Sequence, residues 1–363
     1  MGIVRVLLAL CVLCSHAGPL VPGTLMTGDL AVMAFFMISG FYVALILDGK
    51  YRGPSARWAF WSNRYLRLWP TYLVVVLGYW MLFGLECLHK ARIPQRSWME
   101  LYEQLPLLAK GLTALSNWTL WGQDFLCLWR FAPETGFALN QTTLIRNPSE
   151  PGLWMACANT LPVAWSLGTE LFFYLLAPWL WSLRTRWLVG IALVGLLLRR
   201  AAAAGGMMVY FFAPAQLHLF ILGMLAFRLS RQAWWPKTPG ALMTGLVAAA
   251  IVLYPQLIKV SPWAPPFLAM AFALAMPSIF TASCHQPVDR WLGNLSYPIY
   301  LIHDVAIRHV KFLGPSLTPW VTLLVTTLGA VCVVRWIEQP LDAWRQERAR
   351  RLCSQPLNPA TGN

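Results

Sequence analysis

Charge is what this chain has least of. Only 12% of its 363 residues are Asp, Glu, Lys or Arg, and only 14 are acidic. A soluble domain carries about 25% charged residues. With 58% hydrophobic residues, the chain has too little polar side chain to cover a water-facing surface, so lipid must surround most of it. The familiar soluble catalytic signatures are missing too. There is no H-E-x-x-H zinc pair, no phosphate-binding glycine loop and no G-x-S-x-G elbow. No internal repeat is visible. Of the eight cysteines, Cys11 and Cys14 read as packing on an apolar helix. Cys87, Cys127 and Cys157 lie in or beside one extramembrane stretch, where a disulfide is compatible.

What the chain does have is apolar runs. A bilayer span needs about 20 mostly apolar residues, and ten candidates follow: Ile3–Leu20, Leu30–Leu47, Pro70–Leu88, Leu161–Trp181, Trp187–Leu198, Val209–Phe227, Ala241–Leu257, Trp263–Thr281, Leu295–Val310 and Pro319–Ile337. The expected fold is all-α: a polytopic membrane helix bundle of about ten transmembrane helices. It forms one domain over 1–345, followed by a short tail at 346–363. The net charge of +14 fits the positive-inside rule rather than a nucleic-acid partner. Lys50, Arg52, Arg57, Arg64 and Arg67 follow span two, Arg184 and Arg186 span four, and Arg228, Arg231 and Lys237 span six. Arg345, Arg348, Arg350 and Arg351 follow span ten. Ten spans with both termini cytoplasmic place all four groups inside. Lys90, Arg92, Arg96 and the pair Arg199-Arg200 fall outside and break the pattern. Twenty Trp and 11 Tyr suit interfacial belts. The apolar stretch Lys110–Trp129 would invert everything after it if it crossed, so it is expected to be interfacial or re-entrant. Met1–Gly18 also has the outline of a signal peptide, with a small-x-small site at Ser15-His16-Ala17.

Within the spans, ionisable residues are costly and point to function by default. Arg5 and His16 are eleven residues apart. At 100° per residue they share a helix face, about 16 Å apart along the axis. A histidine can take a proton from a hydroxyl near neutral pH; it can equally be a satisfied contact between helices, and Arg5 an inner anchor. In Phe35-Phe36-Met37-Ile38-Ser39-Gly40-Phe41, the Ser39-Gly40 pair allows close helix approach. Arg57, Arg64 and Arg67 share a face just before Pro70, which suits the first turn of the next helix. That face can lie on anionic lipid or clamp phosphates, since Arg forks match phosphate oxygens. Ser166, Glu170 and Tyr174 step by four and line one face, as do Ser296, Tyr300 and His303. Glu338 sits at a helix end stopped by Pro340. His89, His218, His285 and His309 carry little signal, and no metal-ligand spacing occurs.

Taken in order, these elements resemble the acyltransferase type 3 family of membrane O-acyltransferases. The carriers are Arg5-x10-His16, Phe-Phe-x-x-Ser-Gly-Phe, Arg64-x-x-Arg67-x-x-Pro70, Trp165-Ser-Leu-x-x-Glu170-x-x-Phe173-Tyr174, Ser296-Tyr297-x-x-Tyr300-Leu301-x-His303 and Glu338-x-Pro340. They run over residues 1–345. Many members read Val-Asp just before the Phe-Phe, whereas this chain has Ala34. The Ala-Val-x-Ala-Phe-Phe form resembles a branch that O-acetylates bacterial surface polysaccharide. The resemblance implies acetyl-CoA (acyl-CoA) as cytoplasmic donor substrate, with no tightly bound cofactor, and a glycan or lipid-linked glycan acceptor at the outer face of the bacterial inner membrane. It implies His16 as the catalytic histidine and Arg5, Arg64 and Arg67 as donor-binding residues. Glu170 is a second catalytic candidate; Ser39, Tyr174, Tyr300 and His303 are further site candidates. A homo-oligomer is compatible. The competing reading is a polytopic transporter or flippase in which His16, Glu170 and His303 couple protons.

Overall fold

A computed structural model describes residues 1–51, 55–88, 102–132, 135–139, 153–154, 160–204, 209–261 and 263–354. The chain is an all-α polytopic bundle. Its helices are α1 (Gly2–Ala17), α2 (Gly28–Gly49), α3 (Ala56–Leu88), α4 (Leu107–Thr119), α5 (Gln123–Leu126), α6 (Trp165–Ser182), α7 (Thr185–Ala204), α8 (Ala213–Ser230), α9 (Gly240–Val260), α10 (Ala264–Ser283), α11 (Pro287–Val310), α12 (Thr318–Val333) and α13 (Gln339–Ser354). The ten expected spans correspond to α1–α3 and α6–α12. Eight helical segments are long and apolar enough to cross a membrane. The two expected spans outside that set are α1, at 16 residues, and α11. At 24 residues α11 is about 36 Å long, but Asp289, Arg290, Asp304 and Arg308 make it more polar than the rest.

Two bounds differ from expectation, both at prolines. Pro70 does not open a new helix. It lies inside α3, which runs unbroken for 33 residues, about 50 Å. A proline inside a helix forfeits one ladder hydrogen bond. Nearby, Tyr297 of α11 donates from its hydroxyl to the Leu68 carbonyl at 2.7 Å. Likewise Pro340 does not stop the last span. Val334–Glu338 is a π-helical turn that leads directly into α13, so the helix runs on through Pro340, which supplies no N–H to the turn before it. The chain at 346–354 is therefore helix; residues 355–363 lie outside the described residues.

Small residues set the closest crossings. A Cβ on Gly40 of α2 would stand 1.9 Å from the Phe220 carbonyl oxygen, and one on Gly223 of α8 would stand 2.0 Å from that of Met37. The expected role of Ser39-Gly40 in close helix approach thus has a partner, α8. Around this crossing Phe36 stacks on Phe220 and Phe220 on Phe173, at centroid distances of 4.8 and 4.2 Å. Gly2 of α1 is equally tight against the Asp289 carbonyl of α11. In a bilayer such van der Waals contact, rather than hydrophobic burial, holds helices together.

Lys110–Trp129 is not one continuous helix. Helix α4 ends at Leu120, a left-handed residue (φ 69°), and Gly122 (φ 79°) turns the chain into the short α5. The turn is tied to α3: Tyr65 and Tyr72 donate to the carbonyls of Thr119 and Asn117, and Trp69 Nε1 donates to that of Trp118. Gln123, fully buried, donates to Tyr72 at 2.6 Å. The segment then leaves as an antiparallel hairpin, β1 (Trp129–Ala132) with β2 (Gly136–Leu139), and β3 (Leu153–Trp154) on its other edge. Of the cysteines weighed for a disulfide, Cys87 is exposed and Cys127 buried, while Cys157 lies outside the described residues.

Candidate active site

One end of the bundle gathers the N-terminus of α1, the C-terminus of α2, the start of α3, the start of α11 and all of α13. Asp289, in the first turn of α11, accepts from the backbone N–H groups of Gly2 and Ile3 at 2.7 and 2.9 Å. It thus caps α1 from another helix, satisfying two of the orphan donors at a helix start. Lys50 donates to Gln346. Arg345 of α13 is buried and donates to the Asn63 carbonyl of α3 at 3.1 Å, while Asn63 Nδ2 donates back to the Arg345 carbonyl at 3.2 Å.

Above this assembly lies a cavity of about 800 Å³. Lys50, Asp342, Gln346, Arg5, Arg64, Arg67, Ser166 and Tyr300 all line it; Lys50 stands at the C-terminal end of α2, and Tyr300 beside Phe35 toward the other end of that helix. The three arginines that the family resemblance implies therefore line one cavity, although they come from α1 and α3. Arg57 does not join them: it is exposed, with its guanidinium 6.0 Å from the Trp179 ring. None of the three lining arginines has an ion-pair partner among the described residues. Arg64 is 8% exposed and stands 5.9 Å from the Tyr174 ring, and its Nε has no hydrogen-bond partner. Three guanidinium groups facing one cavity, with only Glu170 and Asp342 as acids near them on its lining besides Asp289, can receive a multiply charged anion.

Glu170, Ser39 and Tyr174 form one cluster on the cavity wall. The Glu170 carboxylate accepts from both the Ser39 and Tyr174 hydroxyls. The step of four places Glu170 and Tyr174 on one face of α6, and the close α2–α8 crossing carries Ser39 to them. Thr71 of α3 donates to Glu338 at 3.1 Å, so the acid at the π-turn also faces inward.

His16 and His303 are outside this lining. They meet beyond its Tyr300 end, His16 Nδ1 to His303 Nε2 at 2.9 Å with the rings 8° from coplanar. His303 is completely buried, and its Nδ1 lies 3.3 Å from the Ile299 carbonyl. A carbonyl can only accept, so Nδ1 of neutral His303 carries its proton and its Nε2 is an acceptor. The proton between the rings then belongs to His16 Nδ1, and the lone pair of His16 falls on Nε2. His16 is exposed at the end of α1. Such an arrangement can serve as a base whose tautomer is fixed from behind. One turn below His303, the Tyr300 ring lies 5.9 Å away and its hydroxyl pairs with Ser166 at 2.7 Å. His16 and Glu170, both predicted as catalytic, are therefore separate: Glu170 lines the cavity and His16 does not.

The spacing of motifs left three participants unseen. Asp289 had a weak signal, an acid two residues after a helix-opening proline. Lys50 and Asp342 had none beyond lying in basic or polar stretches.

Fold and site together define a polytopic membrane protein with an arginine-lined cavity and, outside that lining, a hydrogen-bonded histidine pair. The family model described as an acyltransferase domain matches residues 1–338, and the chain belongs to this family of acyltransferases, type 3. No curated protein and no solved structure matches the chain significantly.

Proposed function

We propose that this membrane acyltransferase moves an acetyl group from acetyl-CoA to a hydroxyl of a cell-surface glycan, such as lipopolysaccharide O-antigen or exopolysaccharide. The observation that carries the reading is the placement of three arginines in one cavity that also holds Tyr300, whose ring lies 5.9 Å from His303, the partner of His16. Arg5, Arg64 and Arg67 hold the donor's phosphates, with Lys50 at the mouth. The thioester then extends up the cavity toward Ser166 and Tyr300. His16 Nε2 takes the proton of the acceptor hydroxyl as its oxygen attacks the thioester carbonyl. The carbon–sulfur bond breaks, the sulfur leaves as thiolate and is protonated to free CoA, and an O-acetyl ester remains on the acceptor. General-base help of this kind is typically worth about 10²–10⁴-fold. Glu170 holds Ser39 and Tyr174 in place and balances the arginine charge.

In this reading the cavity mouth faces the cytoplasm of a bacterial inner membrane, with both termini on that side, and His16 faces outward. The membership of an acyltransferase family favours this account over proton-coupled transport. The test is NMR of surface glycan from cells with and without the gene, together with protection of purified protein by acetyl-CoA against thermal unfolding. O-acetyl signals that vanish without the gene, and protection that is lost in Arg64→Ala plus Arg67→Ala, are the expected results. An unchanged glycan refutes the acceptor, and undiminished protection refutes the donor site.

A further inference from the structure

The far end of the cavity holds a feature that the acyl-transfer reading leaves without a task. Ser166 and Tyr300 are 5% and 7% exposed, both line the cavity, and their hydroxyls lie 2.7 Å apart. Both also reach the Val163 carbonyl, at 3.1 and 2.8 Å. That carbonyl lies in a single turn of 3₁₀-helix, Pro162–Ala164, just ahead of α6. Two hydroxyl protons thus share one carbonyl and each other, so one bond is always a compromise. Two donors meet at one point of a cavity that Val32, Phe35, Phe36 and Leu167 also line.

From this geometry we propose that Ser166 and Tyr300 are catalytic residues that donate to the thioester carbonyl oxygen and hold the oxyanion formed on attack. The inference rests on the acetyl-transfer reading above. When the thioester reaches the cavity end, its carbonyl oxygen replaces Val163 as acceptor. As the acceptor oxygen bonds to carbon, the carbonyl electron pair moves onto oxygen, and the two hydroxyls hold that charge without giving up their protons. The pair returns when the carbon–sulfur bond breaks. Position supports the role: Tyr300 precedes His303 by three residues on α11, which places the donors one helical turn from the buried partner of the base. A pre-aimed donor in a water-poor site stabilises developing charge well, and loss of one such donor typically costs about 10²–10³ in turnover. The Glu170 cluster cannot do this, because a carboxylate repels an oxyanion.

The test uses full-length protein in detergent or nanodiscs with Ser166→Ala, Tyr300→Phe and, as the conservative change, Ser166→Thr. Labelled acetyl transfer is measured alongside isotope-edited infrared of bound S-acetonyl-CoA with a ¹³C carbonyl, a ketone that cannot be cleaved. The expected result is a turnover loss of about 10²–10³ in each truncating variant, with acetyl-CoA affinity unchanged and turnover retained in Ser166→Thr. The ketone band should stand at lower frequency in wild type than in water and move back in both variants. An unshifted wild-type band overturns the proposal even if a variant fails to fold. So does full turnover in Ser166→Ala and Tyr300→Phe, or radiolabel trapped covalently on Ser166. Those outcomes leave the acyl-transfer reading standing. Transfer that survives His16→Ala overturns that reading, and the role of the hydroxyl pair with it.

Discussion

His303→Ala probes the histidine pair most sharply, because His303 touches no proposed substrate. In the native chain it accepts from His16 Nδ1–H while its own Nδ1–H is held by the Ile299 carbonyl. Removing the ring does two things. It frees His16 to adopt the wrong tautomer, a loss of about twofold if both become equal. It also removes the acceptor that stabilises the imidazolium of His16 once the hydroxyl proton has arrived. A hydrogen bond to a charged group is worth about 1.5–3 kcal/mol, so turnover should fall about 10–150-fold at a constant KM for acetyl-CoA. His16→Ala should cost more, about 10²–10⁴-fold. The double variant should be no slower than His16→Ala alone, since His303 acts only through His16. The assay is single-turnover transfer of labelled acetyl at saturating donor. Undiminished turnover in His303→Ala, or losses that multiply in the double variant, would refute the arrangement of the pair.

Other expected outcomes follow from packing and charge. Gly223→Val should lower thermal stability and disrupt the α2–α8 crossing, because its Cβ would meet the Met37 carbonyl at 2.0 Å; overpacking costs about 1–3 kcal/mol, read by thermal unfolding in detergent. Asp289→Ala should leave the Gly2 and Ile3 N–H groups without their acceptor and cost about 1–3 kcal/mol, with Asp289→Asn intermediate; equal melting of all three would refute the cap. Arg345→Ala should loosen α13 from α3, seen as faster protease cleavage between α12 and Ser354. Acid should slow transfer, because a protonated His16 has no lone pair for the hydroxyl proton; a rate that rises on acidification would contradict the base assignment.

Much of the architecture could be read from residue order, because bilayer spans announce themselves by length and apolarity. Glu170 and Tyr174, four apart on α6, and Arg64 and Arg67, three apart on α3, are local pairs that helical spacing puts on one face. The meetings between helices could not be read this way. Nothing local says that His16 reaches His303, that Ser39 joins Glu170, or that Asp289 caps α1, because each depends on how glycines let helices cross. Pro70 and Pro340 misled for a physical reason. Proline usually marks a helix start, yet within a packed bundle neighbouring groups and a π-turn accommodate it. The arginine face was half right: Arg57 shares the spacing, but the cavity begins deeper, and Arg57 stays on Trp179. Arg199, which departs from the expected inside-positive pattern, donates to the fully buried Gln216 at 3.0 Å, a packing role that charge patterning does not reveal.

The central claim is that acetyl from a donor in the arginine-lined cavity reaches a hydroxyl at His16. Inverted membrane vesicles supplied with labelled acetyl-CoA on the formerly cytoplasmic side test it directly. The account predicts label on lumenal glycan with wild-type protein and its loss in His16→Ala. Labelled glycan in His16→Ala vesicles at the wild-type rate would contradict it.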